Sequence, residues 1–428
     1  MTADALQFLF NQSVESLLAT FWILIYVEVP RFLIGAIVLG WFILFRRDGT
    51  AEGRGGGGSY RGGGISAVVA GHNAARGIER TVASLREQSQ RAIQIIVVND
   101  SSTDDTDRIC RKLRQRGRID SYIALRTRGG KAAAVNAALA LARHPLFLVT
   151  DADTTFDRDA LARASAFFAD PRVGVVGGNL RVRNKNASLA TRVQQINYGF
   201  SVTLGRIVKD ALGFYFVASG AFGLYRTQAV RAIGGWDVGP GEDGDVLTRL
   251  RLAGWRARFA YRATAMTDVP ANFVSLARQR LRWDRSMIRN RLRKAGPSVL
   301  NPLRPGFDAV FALSFLEIYF FNGLLSVLHV VYVATIISEF GFFSLTLFVI
   351  VFAAYAFASL VKFFVMLSLS SRPIEDLRLL PYLPLFALTS NLLLFTVRLY
   401  AHANELIARG SYGDAYVPRK VRRQTQRY

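Results

Sequence analysis

Residues 146–153 read LFLVTDAD, an apolar run that ends in two aspartates separated by one residue. A continuous apolar run of this length predicts a strand buried on both faces. Two similar runs lie upstream, SAVVA at residues 66–70 and QIIVV at residues 94–98, and the second leads into Asn99 and Asp100. The pattern therefore predicts a buried sheet in which acidic side chains follow two of the strands.

Amphipathic segments separate these runs. Helices are predicted over residues 78–88, 104–117 and 131–142, with a further short strand at residues 122–125. Strands that alternate with helices imply an α/β fold with a parallel sheet covered on both faces. Ligands of such sheets bind beyond the carboxyl ends of the strands. We expect the acidic side chains to lie at that edge.

Composition limits the classes of function. The chain has 428 residues, enough for one domain of about 250 residues and several membrane segments. Its formal charge of +23 is compatible with nucleic acid, anionic lipid or a phosphate-bearing substrate, but nucleic acid is disfavoured because 51% of the residues are hydrophobic. The single cysteine, Cys110, excludes an intramolecular disulfide, and we interpret it as a small buried residue.

Long apolar runs lie near both ends of the chain. Residues 21–45 are long enough to cross a hydrocarbon core of about 30 Å, although Glu28, Pro30 and Arg31 interrupt them. Arg46 and Arg47 follow, so an uncleaved anchor with the central residues in the cytoplasm is expected. Residues 310–336 and 341–367 predict a hairpin of two spanning helices.

Residues 381–400 are a further candidate span, weakened by Pro381, Pro384 and Arg398. If they cross the membrane, the tail lies outside, yet basic residues favour the cytoplasmic side. The basic residues of the tail are Arg409, Arg419, Lys420, Arg422, Arg423 and Arg427. An interfacial or re-entrant course would remove the conflict, and the sequence leaves both alternatives open.

Glycine dominates residues 53–64, which read GRGGGGSYRGGG. This composition predicts a flexible linker, since a phosphate-binding loop would need a GK[ST] ending and a preceding strand.

Several carboxylates could carry chemistry. Asp151 and Asp153 could share a divalent cation, because Mg²⁺ is commonly held by one or two carboxylates and substrate phosphates. Asp100 could bind a ligand or cap the helix that follows it. Glu242 and Asp243, in the sequence GPGED before a helix predicted over residues 245–253, could cap that helix or act as a general base.

Three other features accompany the carboxylates. Lys131 follows two glycines at a helix start and could reach a phosphate, or could be an ordinary surface lysine. Ser219 and Gly220 lie in a small-residue turn that would let backbone approach a ligand. Residues 279–283 read QRLRW, and the basic helix around them could contact anionic lipid. Trp283 instead favours a sugar-stacking surface beside guanidinium groups.

Along the chain, the motifs occur in the order SAVVAGHN, VVNDSSTDDT, GGKAAAVNAAL, DAD, ASGAFGLYR, GED and QRLRW. In this order they resemble the motifs of the processive family-2 glycosyltransferases. These are the hyaluronan, chitin-oligosaccharide, poly-N-acetylglucosamine and cellulose synthases. The resemblance covers roughly residues 65–293 and extends to the flanking membrane segments. Two departures are AGHNAA after the first strand and Gly241 where many members have threonine; neither removes a proposed catalytic group.

The resemblance implies a GT-A-type, Rossmann-like domain and assigns roles to residues. It implies that Asp243, next to Glu242, is the catalytic base. The resemblance further implies that the UDP-sugar donor is bound by Asp100, Lys131, Asp151, Gln279 and Arg282. Asp151 and above all Asp153 would hold Mg²⁺ or Mn²⁺, and Trp283, Ser219 and Gly220 would contact the acceptor.

The expected function is therefore processive, inverting synthesis of a β-linked polysaccharide from a UDP-hexose, with UDP-N-acetylglucosamine favoured over UDP-glucose. The alternatives are a non-processive transferase acting on a lipid carrier and a non-enzymatic membrane protein. The expected partners are the donor, the growing polysaccharide, the lipid bilayer, and export or accessory proteins, but not nucleic acid. The expected location is a bacterial-type inner or plasma membrane.

We expect six successive regions in the chain. They are an anchor (1–46), a linker (47–64), the transferase domain (65–276), the QRLRW interface region (277–305), channel helices (306–408) and a basic tail (409–428).

Overall fold

The computed structural model describes residues 8, 10–46, 63–90, 92–414 and 417–425. Most of the predicted glycine-rich linker lies outside these residues. The centre of the fold is one sheet of eight strands in the order β3-β2-β1-β4-β7-β6-β8-β5. The strands are β1 Ile65–Gly71, β2 Ile93–Asn99, β3 Ser121–Ala124, β4 Leu146–Asp151, β5 Thr155–Phe156, β6 Val173–Val182, β7 Gly223–Arg226 and β8 Arg256–Thr267.

The first half of the sheet is parallel and matches the sequence prediction. β1 pairs in parallel with β2 and β4, and β2 pairs in parallel with β3. Neighbouring residues of β1 point to opposite faces: Ala67 and Val69 belong to one buried cluster, and Val68 belongs to another. Both faces are therefore covered, which explains why these strands are apolar without alternation.

The second half of the sheet is mixed. β7 pairs antiparallel with β4 and β6, β6 pairs parallel with β8, and β5 pairs antiparallel with β8. The small-residue turn that contains Ser219 and Gly220 ends before Gly223–Arg226, which is strand β7. Close packing explains the glycine: an added Cβ at Gly223 would lie 2.7 Å from the ring of Tyr225.

Helices cover the sheet. They are α3 Ile78–Arg86, α4 Thr106–Gln115, α5 Gly130–Leu141, α6 Ala160–Ser165, α7 Leu189–Asn197, α8 Gly205–Ala211, α9 Thr227–Ala232 and α10 Glu242–Leu252, preceded by α1 Val14–Thr20 and α2 Val29–Trp41. After the sheet come α11 Phe273–Arg289, α12 Gly296–Val299, α13 Ala309–Ile318, α14 Leu325–Phe340, α15 Ser344–Leu369, α16 Pro373–Leu377, α17 Leu383–Leu388, α18 Phe395–Ala408 and α19 Arg419–Thr425.

Among the described residues, three helical segments are long and apolar enough to cross a membrane: Leu24–Phe45, Leu325–Leu369 and Pro373–Ala408. The second contains a tight turn at Gly341–Phe343, where Gly341 has φ 51°. Tyr332 and Ile336 before the turn share a buried cluster with Leu347 after it. The predicted helical hairpin is therefore present.

The segment between α15 and α17 (residues 370–382) docks on the sheet domain. Arg181 of β6 forms a bidentate ion pair with Asp376, at 2.6 and 2.9 Å, and the Asp376 side chain is 1% exposed. Lys185 pairs with Glu375 at 2.6 Å, and Arg372 pairs with Asp157 at 3.5 Å. This docking segment fixes the membrane helices against the sheet domain.

Candidate active site

The candidate site lies at the carboxyl edge of the parallel strands. Residue pairing sets Gly71 beside Asn99, and Ala70 beside Asp151, so β2, β1 and β4 end side by side. Asp151 is the last residue of β4, so the strand includes the first of the two aspartates. Asp100 follows β2 at the same edge, as the sequence predicts.

Asp100 is 5% exposed and both of its carboxylate oxygens have backbone partners. They accept hydrogen bonds from the N–H groups of Gly129 and Gly130, at 2.7 and 2.9 Å. In the helix that follows Asp100, α4, the first N–H group is bound by another carboxylate: Asp104 Oδ1 accepts from the Thr106 N–H at 3.0 Å. The alternative in which Asp100 caps that helix is therefore wrong, and Asp100 orients the loop that enters α5.

Lys131, in the first turn of α5, connects the two halves of the sheet. Its Nζ donates to Asp151 Oδ1 and, at 3.0 Å, to the carbonyl of Gly220 just before β7. Burial acts to lower the pKa of Lys131, but the charges of Asp151, Glu242 and Asp243 outweigh it, so the pKa is raised. Lys131 is therefore a paired ammonium group and not an ordinary surface lysine.

Gly220 also contacts Asp243. Its N–H donates to Asp243 Oδ2 at 3.3 Å, while Asp243 Oδ1 accepts from the Gly244 N–H at 2.8 Å. An added Cβ at position 220 would lie 2.5 Å from Lys131 Nζ, so a larger residue there would displace the Lys131 ammonium group. Neighbouring Ser219 accepts from the Ala221 N–H at 3.4 Å through its hydroxyl.

The helix that carries the acidic pair starts earlier than predicted. α10 begins at Glu242 and not at Asp245, because Gly241 takes a left-handed conformation, φ 78°, immediately before it. Asp245 is instead buried beneath the first turn in ion pairs with Arg249, at 2.9 Å, and Lys294, at 2.8 Å. Glu242 and Asp243 thus receive the favourable dipole of the helix N-terminus.

Glu242 is electrostatically perturbed. Burial and then the charge of Asp243 raise its pKa to about 7, against an opposing effect of Lys131. Glu242 therefore stays protonated to a higher pH than an ordinary glutamate.

Asp153 lies two residues beyond β4. Burial raises its pKa first, followed by the charges of Asp151 and Asp268, and Arg183 partly offsets them. Arg183, which the sequence analysis missed, donates to the Asp153 carbonyl and pairs with Asp268 at 3.0 Å. No group of three or more His, Cys, Asp or Glu side chains with metal-binding geometry occurs in the part of the chain that the structure describes.

Helix α11 carries Gln279, Arg282 and Trp283. Trp283 is 44% exposed, and the guanidinium carbon of Arg280 lies 4.5 Å from its ring centre. Gln279 Oε1 is buried without a hydrogen-bond partner among the described residues. The Arg282 carbonyl accepts from the Ser286 hydroxyl at 2.6 Å.

Asn290, directly after α11, joins this helix to the acidic loop. Its Nδ2 donates to the carbonyl of Gly241 at 2.8 Å and to that of Pro240 at 3.3 Å. The sequence analysis did not single out Asn290, although it follows QRLRW in the same basic segment. Through this contact the helix bearing Trp283 has a defined position relative to Glu242 and Asp243.

The structure thus joins Lys131, Asp151, Gly220 and Asp243 through direct hydrogen bonds. Glu242 interacts with this set electrostatically, and Asp100 lies behind it at the start of α5. Helix α11 carries Gln279, Arg282 and Trp283, and Asn290 connects this helix to the acidic loop. Their predicted contacts with donor and acceptor stay predictions.

A parallel sheet that bears carboxylates at its carboxyl edge and continues into mixed strands defines the GT-A-type glycosyltransferase fold. Residues 66–234 match the family described as "Glycosyl transferase family 2". This central segment is therefore similar to family-2 glycosyltransferases, as its motifs predict.

Two curated proteins are similar in sequence to this chain. Poly-beta-1,6-N-acetyl-D-glucosamine synthase of Staphylococcus aureus (strain COL) is 31% identical over 222 residues, which cover 51% of this chain and 53% of the relative. The Staphylococcus epidermidis protein of the same name is 30% identical over 222 residues, with the same coverage. The chain therefore aligns with about half the length of these relatives.

A solved structure shares the fold. The mannosyltransferase PcManGT of Pyrobaculum calidifontis, in complex with GDP-Man and Mn²⁺, has a TM-score of 0.53. It is 20% identical, and the likeness covers 77% of this chain and 86% of that protein.

Proposed function

We propose that this protein is a membrane-embedded, inverting glycosyltransferase that polymerises a UDP-activated hexose into a β-linked polysaccharide and carries the product across the membrane. The donor is UDP-N-acetylglucosamine, as the names of the curated relatives suggest. The sheet domain lies on the cytoplasmic side of an inner or plasma membrane, where UDP-sugars are made.

One observation carries the proposal: the Gly220 peptide binds Lys131 through its carbonyl and Asp243 through its N–H. Lys131 also pairs with Asp151, so a donor-side carboxylate and the proposed base are connected through the Lys131 side chain and the Gly220 backbone. Glycosyl transfer needs this proximity, since a base must reach the acceptor hydroxyl next to the donor carbon.

Asp151 and Asp153 fit a divalent cation. Their mutual repulsion contributes to the raised pKa of Asp153, and a bound cation would relieve it. Two carboxylates with substrate phosphates form a common Mg²⁺ site, and Mn²⁺ accepts the same oxygen ligands. When bound, the metal would neutralise negative charge on the UDP leaving group.

The protein's own residues supply the remaining chemistry. Asp243 accepts the proton of the acceptor hydroxyl as that oxygen attacks the anomeric carbon and the bond to UDP breaks. Trp283 stacks on the acceptor sugar, and Gln279 and Arg282 bind the diphosphate. Lys131 holds Asp151 and Gly220 in place during the displacement.

Incubating membranes that contain the protein with labelled UDP-N-acetylglucosamine, or with UDP-glucose, tests the proposal. We expect a long, β-linked product from the first donor and dependence of UDP release on Mg²⁺ or Mn²⁺. Transfer of a single sugar to lipid would favour the non-processive alternative. Absence of metal-dependent UDP release with either donor would contradict the proposed enzymatic activity.

A further inference from the structure

The helical segment 383–408, formed by α17, a π-helical turn and α18, touches the sheet domain at its first end. Arg192 of α7 donates to the hydroxyl of Tyr382, with its guanidinium carbon 4.8 Å from the ring centre. One turn later, the rings of Phe386 and Phe200 meet edge to face at 5.1 Å. The segment therefore begins against the surface formed by α7 and the turn that follows it.

The other end of the segment contacts α11 and the π-helical turn after it, which Asn290 joins to the acidic loop of the sheet domain. Arg285 of α11 donates to Asn404 Oδ1 and to the Gly410 carbonyl, both at 3.3 Å. Arg293 pairs with Glu405 at 2.5 Å, and the Glu405 side chain is 0% exposed. Beyond it, the tail approaches the catalytic edge, where a Cβ at Gly130 would lie 4.0 Å from Pro418.

Both ends therefore lie on one side of a bilayer. At a rise of about 1.5 Å per residue, residues 383–408 extend over about 40 Å. A spanning helix of this length would carry one end beyond the roughly 30 Å hydrocarbon core, away from the sheet domain. Because the segment contacts α7 at one end and α11 at the other, a membrane-spanning course is excluded.

The segment has two distinct faces. Its large exposed apolar side chains are Leu388, Leu392, Tyr400, Leu406 and Ile407, and Ile407 is 86% exposed. Within α18, at about 100° per residue, Tyr400, Leu406 and Ile407 fall within an arc of about 120°. Ala401 and Glu405 lie on the opposite, buried face. The segment therefore exposes an apolar stripe and packs its other face against protein.

We propose that residues 383–408 lie flat in the leaflet adjacent to the sheet domain, with this apolar stripe in lipid, so that the tail and the sheet domain occupy the same side of the membrane. Continuity with the spanning helices supports lipid as the occupant, because Phe395 contacts His329 of α14 with ring centres 5.9 Å apart. The basic tail then faces the cytoplasm, in agreement with the positive-inside rule.

Single cysteines test the topology. Native Cys110 is buried, and burial raises its pKa to about 12, so it stays unreactive unless the protein unfolds. Gly413→Cys introduces a thiol at an exposed tail position with free space for Cβ. Lys112→Cys on α4 reports the side of the sheet domain, and Phe342→Cys reports the opposite side.

An impermeant maleimide is applied to sealed vesicles of each orientation. We expect Gly413→Cys to react in the same orientation as Lys112→Cys and opposite to Phe342→Cys. Reaction of Gly413→Cys together with Phe342→Cys would show that the segment spans and would overturn the proposal.

Spin labels test the occupant of the stripe. Labels at Leu392→Cys and Ile407→Cys should collide with oxygen, which is lipid-soluble, as much as a label at the 68% exposed Phe357 in α15 does. They should be protected from a water-soluble nickel chelate that reaches Gly413→Cys. Access to nickel would show that the stripe faces water, and protection from both reagents would show that protein covers it; either result overturns the proposal.

Discussion

The two halves of the sheet differ in how they are built. The parallel half, β3-β2-β1-β4, consists of local strand–helix units, whereas β7, β6, β8 and β5 combine strands from distant parts of the chain. The parallel half contributes Asp100, Lys131 and Asp151 to the site, and the second half contributes Gly220 and Asp243. The difference suggests that donor binding and proton removal belong to separate halves.

Asp243→Asn should have the largest effect on activity and should separate the two halves most clearly. Removing the base should reduce transfer by about 10²- to 10⁴-fold, because general base catalysis contributes roughly that much. UDP binding, to which we assign no role for Asp243, should be nearly unchanged. Product formation and UDP affinity are measured on the same membranes.

Asp237→Asn is a matched control, since it removes a carboxylate of the second half that pairs with Lys294 at 2.5 Å outside the cluster. Retained synthesis in Asp243→Asn would rule out Asp243 as the base. Equal loss in both variants would point to damage to the second half as a whole.

Asp376→Asn tests the attachment of the second half to the membrane helices. Arg181 would then be a buried cation without its charged partner, which typically costs about 3 to 5 kcal/mol. Thermal unfolding in detergent should show this loss, and Arg181→Met combined with Asp376→Leu should restore most of it. A single variant as stable as the parent protein would show that the pair contributes little.

Lys131→Met removes the connection between the halves. We expect a fall in kcat of about 10²-fold, since small displacements of catalytic groups have effects of that order, with a smaller change in KM. Lys131→Arg should restore part of the activity. Lys112→Met, an exposed change of the same chemistry on α4, should have no effect. A change in KM alone would assign Lys131 to donor binding only.

The smallest expected effect concerns pH. The pKa of Glu242 in the folded protein, about 7, is above its ordinary value of 4.5. The stability that this group contributes is therefore fully present below pH 4.5 and is lost as pH rises through about 7. Melting temperatures of the ligand-free protein should fall over this range, and Glu242→Gln should flatten the decline. A parallel decline in both proteins would contradict the assignment.

The sequence predicted the parallel half well because each strand there is a continuous apolar run beside its own helix. Strand β4 and the two aspartates at its carboxyl end followed from LFLVTDAD alone. The second half was not predicted, since β6, β7 and β8 are defined by pairing between residues far apart in the chain. The start of α10 was missed because only a left-handed Gly241 permits it.

The prediction of the site residues was also limited by contacts that form only when distant parts of the chain fold together. Residue types identified Lys131, Asp151 and Asp243, but not the contacts of the Gly220 backbone with Lys131 and Asp243, since these depend on how β7 meets β4. Arg183 and Asn290 were missed because their roles arise from backbone carbonyls that are adjacent only in the folded chain.

The docking segment has a mechanical consequence. Four polar contacts join it to the sheet domain, and they involve Arg181, Lys185, Arg192 and Arg372. Rocking of the domain as a rigid body against the helices would break a buried ion pair. The movements of a catalytic cycle should therefore be confined to side chains and short loops, and a force applied to the product would be transmitted directly to the sheet.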